Sequence, residues 1–321
     1  MKRLALAFGV ALLVCATPIL SRAGTIYNFQ TVISPGDPGF TQLLGINNSG
    51  TIAGYYGDGT VVANNGFTLV LPNNYTPQNF PGATQTQVVG INGAGETVGF
   101  WTDSGGVTHG FTQFGGTFQS VSNPSTSTVT QLLGVNNSGT AAGYWTDGSG
   151  NFHPFTWASS TFTPITVPGF VSAQATDVNN AGWVAGFNMT SPSASEGFLD
   201  VGGTFTFLEF PGSSFTQALG LNNNGLVDGF YLDSNGNTHG FIYNNSTGTY
   251  QEVNDPNAVG PAGTVVNGIN DEGQIVGFYT DANNNVDGFV ATPTPEPTSL
   301  LLLGTLVGMA LLAGRWGKVQ A

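Results

Sequence analysis

Asn47-Asn48-Ser49-Gly50, Asn92-Gly93-Ala94-Gly95, Asn136-Asn137-Ser138-Gly139, Asn179-Asn180-Ala181-Gly182, Asn222-Asn223-Asn224-Gly225 and Asn270-Asp271-Glu272-Gly273 are six writings of one turn. Their first residues lie 45, 44, 43, 43 and 48 positions apart. A period in that range, carried by short strands and Gly-rich turns, belongs to propeller blades and not to helical solenoids. Pattern argues against helices too, because Gly or Asn interrupts each apolar run before a 3.6-residue stripe can develop.

Working outward from the third turn, four strands can be placed: Thr130–Val135, Thr140–Trp145, His153–Trp157 and Thr161–Val167. The Asn-rich turn ends in a Gly, which tolerates positive φ. Asp147-Gly148-Ser149-Gly150-Asn151 makes the second turn, and Pro168-Gly169 stops the fourth strand. Aromatic residues recur after Gly at Tyr55, Phe100, Tyr144, Phe187, Phe230 and Phe278, and again at Phe67, Phe111, Phe155, Phe198, Phe241 and Phe289. Packing of neighbouring blades is expected to bury both sets, since one unit alone has too little core to fold.

The sixth unit stops after Gly288-Phe289-Val290-Ala291, one strand short. The chain supplies an orphan strand at its front, Thr25 to Val32, followed by Pro35-Gly36, and this resembles the fourth strand of complete units such as Gly116 to Val121. Pairing the orphan with the sixth unit closes the circle and removes exposed sheet edges. The expected fold is therefore an all-β, six-bladed β-propeller over residues 24–292, closed by an N-terminal strand. A signal helix over 1–23 precedes it and a transmembrane helix within 293–321 follows it.

Charge is partitioned sharply. All five basic residues, Lys2, Arg3, Arg22, Arg315 and Lys318, lie in the end segments, while the eighteen carboxylates lie between Asp37 and Glu296. The span from Gly24 to Gly314 contains no Lys or Arg, so its formal charge is about −18 against −13 for the whole chain. Such a domain repels phosphate backbones and anionic headgroups, which excludes nucleic acid as a partner. Cohesion must rest on apolar packing and backbone ladders.

Residues 1–23 have the build of a secretory signal: basic Lys2-Arg3, an apolar run from Leu4 to Val14, and small residues at Ser21-Arg22-Ala23. The single cysteine, Cys15, falls inside it, so the mature chain would have no disulfide, thiolate nucleophile or Cys metal site. At the other end Pro293-Thr294-Pro295-Glu296-Pro297 precedes an apolar stretch from Leu300 to Ala313 and then Arg315, Trp316 and Lys318. This tail resembles the PEP-CTERM sorting signal of Gram-negative bacteria, through Pro295, Glu296, Pro297, the apolar segment and the basic end at Arg315. The resemblance implies export, transient anchoring in the inner membrane, cleavage near the triplet by an exosortase-type enzyme, and release to the cell surface or an exopolysaccharide matrix. The repeats resemble the extracellular HAF-type proteins, through the Asn-rich turn, the Gly-aromatic step and His109-Gly110-Phe111, His153-Pro154-Phe155 and His239-Gly240-Phe241. Asn65, Glu196 and Asp287 take the His position in the other units.

Candidate site residues follow from the same alignment. Gln42, Gln87, Gln131, Gln174 and Gln217 stand at the start of the innermost strand, with Val265 breaking the series. They either rim the central channel and contact a polar ligand such as polysaccharide or, the favoured reading, bond neighbouring blades. Trp101, Trp145 and Tyr231 are candidate sugar platforms, with packing against adjoining blades the favoured reading. The three histidines read as separated strand-end residues and not as one metal site. Asp103, Asp147, Asp233 and Asp281 follow the second strand, and their oxygen-rich turns suit Ca²⁺. Asn244 and Thr292 stand where an EF-hand would need its closing acid, so hairpin formation is the favoured role and no cofactor is expected. Sialidase-type and Schiff-base chemistry lack their Arg and Lys. Carboxylate-dependent attack on polysaccharide survives on inventory: Asp177, Glu196, Glu209 and Asp228 fall outside the repeat pattern, although no spacing brings two of them together. A non-enzymatic binding or structural propeller is the leading expectation.

Overall fold

A computed structural model describes residues 25–123, 128–191 and 193–294. The signal segment, Pro295, Glu296, Pro297, Arg315 and the apolar tail lie outside the described residues. Within them the strands form six four-stranded antiparallel sheets, five of them built from consecutive strands. The sixth has the order Tyr27–Val32, Val286–Pro293, Ile275–Thr280, Thr264–Ile269, so the front of the chain supplies its outer strand. Phe29 packs there with its ring 5.3 Å from that of Phe289, and Thr31 Oγ1 lies 3.0 Å from the Tyr279 hydroxyl.

The Asn turn shows why its first residue is an Asn. Asn136 Oδ1 accepts hydrogen bonds from the amides of Ser138 and Thr140, and Gly139 closes the turn at φ 74°. A carbonyl side chain satisfies two loop amides that no strand partner reaches. Strand placement in the third blade agrees with the sequence at Thr130–Val135 and shifts by one residue at Ala141–Thr146. The outer strand ends early, at Pro164: the Ile165 amide still donates to the Pro154 carbonyl, but Pro154 has no amide to return the bond.

Every innermost strand carries a bulge, as between Leu132 and Gly134, which turns Leu133 toward the axis. The Gly after the bulged residue lets neighbouring inner strands touch. A Cβ on Gly45 would sit 2.6 Å from the Val89 carbonyl oxygen, and one on Gly90 2.8 Å from that of Leu133.

The core lies between blades. Val98 of the second blade packs with Leu132, Val135 and Phe155 of the third, and Val276 and Val290 of the sixth pack with Leu43 and Phe67 of the first. The third-strand aromatics, Phe67 to Phe289, are all at most 2% exposed. The Gly-aromatic set is mixed: Tyr55, Tyr144 and Phe187 are buried, whereas Phe100, Phe230 and Phe278 are half-buried because they face the axis. Blade crossings are pinned by threonine. The hydroxyls of Thr41, Thr86, Thr130, Thr216 and Thr264 accept the backbone amides of Ser34, Phe80, Asn123, Phe210 and Asp255 at 2.9–3.1 Å.

Candidate functional site

The six turns meet around the axis. Asn47 Nδ2 donates to the Asn92 carbonyl, Asn92 to Asn136, Asn136 to Asn179, Asn179 to Asn222, Asn222 to Asn270 and Asn270 back to Asn47, at 3.0–3.2 Å. A second set of bonds links the next residue of each turn, from the Gly93 amide to Asn137 Oδ1 round to the Asp271 amide on Asn48 Oδ1. Gly93 has no side chain to accept the Asn48 amide, so this outer circle is open at one blade boundary. Both circles join sheets that share no strand, which makes them inter-blade ties as well as a frame.

The frame opens on an axial cavity of about 420 Å³. Its wall is uneven. The bulged residues of the first three blades are Leu44, Val89 and Leu133, and that of the fifth is Leu219; the fourth and sixth place Thr176 and Asn267 there. The fourth blade also puts Asp177 where the other five have Gly45, Gly90, Gly134, Gly220 and Gly268. Gly134 makes room for it, since a Cβ on Gly134 would meet Asp177 Oδ1 at 2.1 Å.

Asp177 is enclosed by protein yet keeps part of its surface open to the cavity. Its Oδ1 accepts the Val178 amide at 2.8 Å and its Oδ2 the Leu221 amide of the next blade at 2.9 Å. Burial pushes its carboxyl up to about 7, and the two amides only partly oppose this. Asp228, in the second strand of the fifth blade, is fully buried and has no hydrogen-bond partner at either oxygen. Burial first, and then the charge of Asp177, hold its carboxyl well above the usual range; the Gly220 amide lies close without closing a hydrogen bond. The structure thus brings together two pattern-breaking acids that sequence spacing left apart. Only Asp177 of the two lines the cavity. Glu196 and Glu209 also come within electrostatic reach of each other, away from the axis, on a half-buried and an exposed position.

Of the five glutamines, Gln42 and Gln87 line the cavity. Gln42 and Gln131 accept hydrogen bonds from the hydroxyls of Tyr55 and Tyr144 in their own blades, at 2.7 and 2.8 Å. Gln87 donates to Asn64 Oδ1 of the preceding blade at 2.7 Å, the inter-blade role. Gln174 and Gln217 stand opposite Phe187 and Phe230 in the ladder and are not among the residues lining the cavity. The bulged residue two places further on faces the axis in every blade, while of the Gln series Gln42 and Gln87 reach the cavity.

The histidines are separated, each set against the turn Asp of its own blade: His109 and Asp103 at 3.2 Å, His153 and Asp147 at 2.9 Å, His239 and Asp233 at 3.6 Å. The Asp carboxylates also cap their own turns, as Asp147 Oδ1 does for the amides of Ser149 and Asn151. His153, then the Asn151 side chain, hold Asp147 below the ordinary carboxylate range. Trp101 is flanked by Phe80 at 4.1 Å and His109 at 4.7 Å, and Tyr231 by Phe210 at 3.7 Å and His239 at 5.2 Å, so little ring face is left to a sugar. Trp145 stacks on His153 at 4.3 Å. Thr176 and Asn267 were missed as site residues; the available signal was their break in the apolar series Leu44, Val89, Leu133 and Leu219.

No protein-family model matches this sequence, and no curated protein matches it either. Solved structures resemble its fold. A putative TolB from Agrobacterium tumefaciens gives a TM-score of 0.58 at 12% identity, over 81% of this chain and 92% of that one. The Aleuria aurantia lectin, a six-bladed β-propeller with a novel fucose recognition mode, gives 0.51 at 10% identity over 81% and 99%. SapL1 lectin, solved with α-methyl fucoside, gives 0.52 at 9% identity over 81% and 97%. At such identities the likeness establishes a six-bladed propeller and nothing finer.

Proposed function

We propose that this chain is a non-enzymatic binding propeller of the cell surface or exopolysaccharide matrix, exported through residues 1–23 and sorted through Pro295, Glu296, Pro297 and Arg315 by an exosortase-type enzyme. Its axial cavity takes a small polar ligand or the end of a polysaccharide chain. The observation that carries this reading is the cavity itself: a hydrogen-bonded Asn frame around about 420 Å³ of space with apolar and polar sectors in one wall. Concave sites with a few placed polar groups are where propellers and other folds bind ligands. Two lectins of the same architecture recognise fucose or carry a fucoside, which supports a carbohydrate partner.

A glycan array probed with the full chain tests the binding reading. Retention of defined glycans, lost on Leu133→Trp, is the expected result; no retention of any glycan contradicts a carbohydrate ligand. Mass spectrometry of the released protein tests sorting: the chain should end near the Pro-Glu-Pro triplet, and an intact Leu300–Ala321 peptide on released material contradicts processing there.

The paired acids give the enzymatic alternative one specific observation, since Asp177 and Asp228 lie close. Glycoside hydrolysis needs both carboxyls at the scissile bond, however, and Asp228 is wholly enclosed behind the cavity wall. Polysaccharide turnover abolished by Asp177→Asn would favour the enzyme over the binder.

A further inference from the structure

The axial cavity has no positively charged side chain in its lining, and acceptors in and behind its wall lack partners. Asp228 is wholly buried with both oxygens unpartnered, and Asn267 Oδ1, on a residue of the cavity wall, is unpartnered as well. Asp177 gives one oxygen to the Val178 amide and the other to the Leu221 amide, so each keeps a second acceptor direction. The two acids flank one short segment: Leu221 donates to Asp177, and a Cβ on Gly220 would lie 2.3 Å from Asp228 Oδ2. The Asn frame is partly committed, because each first Asn directs one amide hydrogen at the neighbouring carbonyl. No Lys or Arg occurs among the described residues, and the three histidines stand against turn aspartates of their own blades.

Building on the reading of this cavity as the binding site, we propose that it selects a ligand bearing a protonated primary amine, with the ammonium seated on Asp177 and the carbon body against Leu44, Val89 and Leu133. An ammonium brings three donors and the complementary charge to an acceptor-rich wall. Ligand carboxylates and phosphates meet repulsion from the same wall, and a neutral sugar brings no charge to hold Asp177 ionised. A divalent metal suits the place less well. Ca²⁺ takes about six to eight oxygens, and among the described residues no three His, Cys, Asp or Glu side chains are placed to hold a metal.

The test is calorimetric titration of the full chain with glucosamine and n-butylamine, each beside a neutral match, glucose and n-butanol. Each amine should bind about tenfold tighter than its match or better, and Asp177→Asn, checked for folding by circular dichroism, should erase that preference. If the variant does not fold, amide NMR of the unaltered chain substitutes for it: glucosamine should move the Thr176, Val178 and Leu221 signals. Neutral probes binding as tightly as the amines, a preference that survives Asp177→Asn, or amine-induced shifts confined to other residues would overturn the inference and leave the cavity reading standing. Absence of binding by every probe would overturn both.

Discussion

The second blade and the fifth share one sheet plan and differ most where they approach the axis. In the second, Val98 fills the space toward the next blade and belongs to an apolar cluster; in the fifth, the same position is Asp228, with no partner. The fourth blade repeats the lesson, with Asp177 in a series otherwise made of Gly. In a ring of near-identical units, packing alone would favour the same solution at each position. A polar departure at a buried place costs stability, and a cost borne at two neighbouring positions marks a site.

Where the two halves share a solution they should respond alike. Phe111→Ala in the second blade and Phe289→Ala in the sixth each remove a fully buried ring and should cost about 3–5 kcal/mol. Denaturant midpoints checking this should agree between the variants; a much smaller loss for Phe289→Ala would mean that the strand borrowed from the N-terminus does not complete a true blade.

Where the halves differ they should respond oppositely. Asp228→Val installs the residue of the second and sixth blades and should raise stability by a few kcal/mol at pH 8, while Val98→Asp should lower it by a similar amount. The pH dependence has a definite sign. A carboxyl whose folded pKa lies above its unfolded one stabilises the fold only while protonated. For Asp177, with an ordinary value of 3.8 raised to about 7, that contribution is complete below pH 3.8 and is lost as the pH climbs through about 7. At about 1.4 kcal/mol per pH unit, the loss is on the order of 4 kcal/mol. Thermal melts from pH 4 to 8 should therefore show wild-type stability falling with pH, and Asp228→Val flattening the fall.

The Asn frame sits between these extremes. Asn136→Ala strands two turn amides and deletes a bond to the next blade, for an expected loss of about 2 kcal/mol, and Asn179→Ala should match it. Chemical denaturation of both variants makes the comparison. The smallest effect belongs to the rim. His153→Ala leaves Asp147 capping its turn in partial exposure and should leave the melt of the folded protein close to that of the unaltered chain.

Most of the fold was legible because it depends on local chemistry repeated six times. An Asn that must satisfy loop amides and a Gly that must take positive φ are visible in sequence, and so is a missing strand at one end matched by a spare at the other. The site was legible only in its parts. Asp177 and Asp228 stood out as departures from the repeat, but their meeting depends on a bulge that rotates one residue toward the axis and on inner strands close enough for Gly134 to abut Asp177. Strand periodicity carries no sign of that bulge, so it marked the glutamines and not the bulged residues beside them. The side chains of Gln42 and Gln131 answer the cross-strand tyrosines at Tyr55 and Tyr144, whereas the bulged residue faces the channel.

The most direct measurement is carbon-13 NMR titration of the Asp177 and Asp228 side-chain carboxyls in the unaltered chain, and of Asp228 in Asp177→Asn. Burial should raise the Asp177 midpoint toward about 7, and the Asp228 midpoint should lie well above the ordinary range and fall when the Asp177 charge is removed. Midpoints in the ordinary carboxylate range, with that of Asp228 unchanged by Asp177→Asn, would contradict the meeting of these two acids beside the cavity.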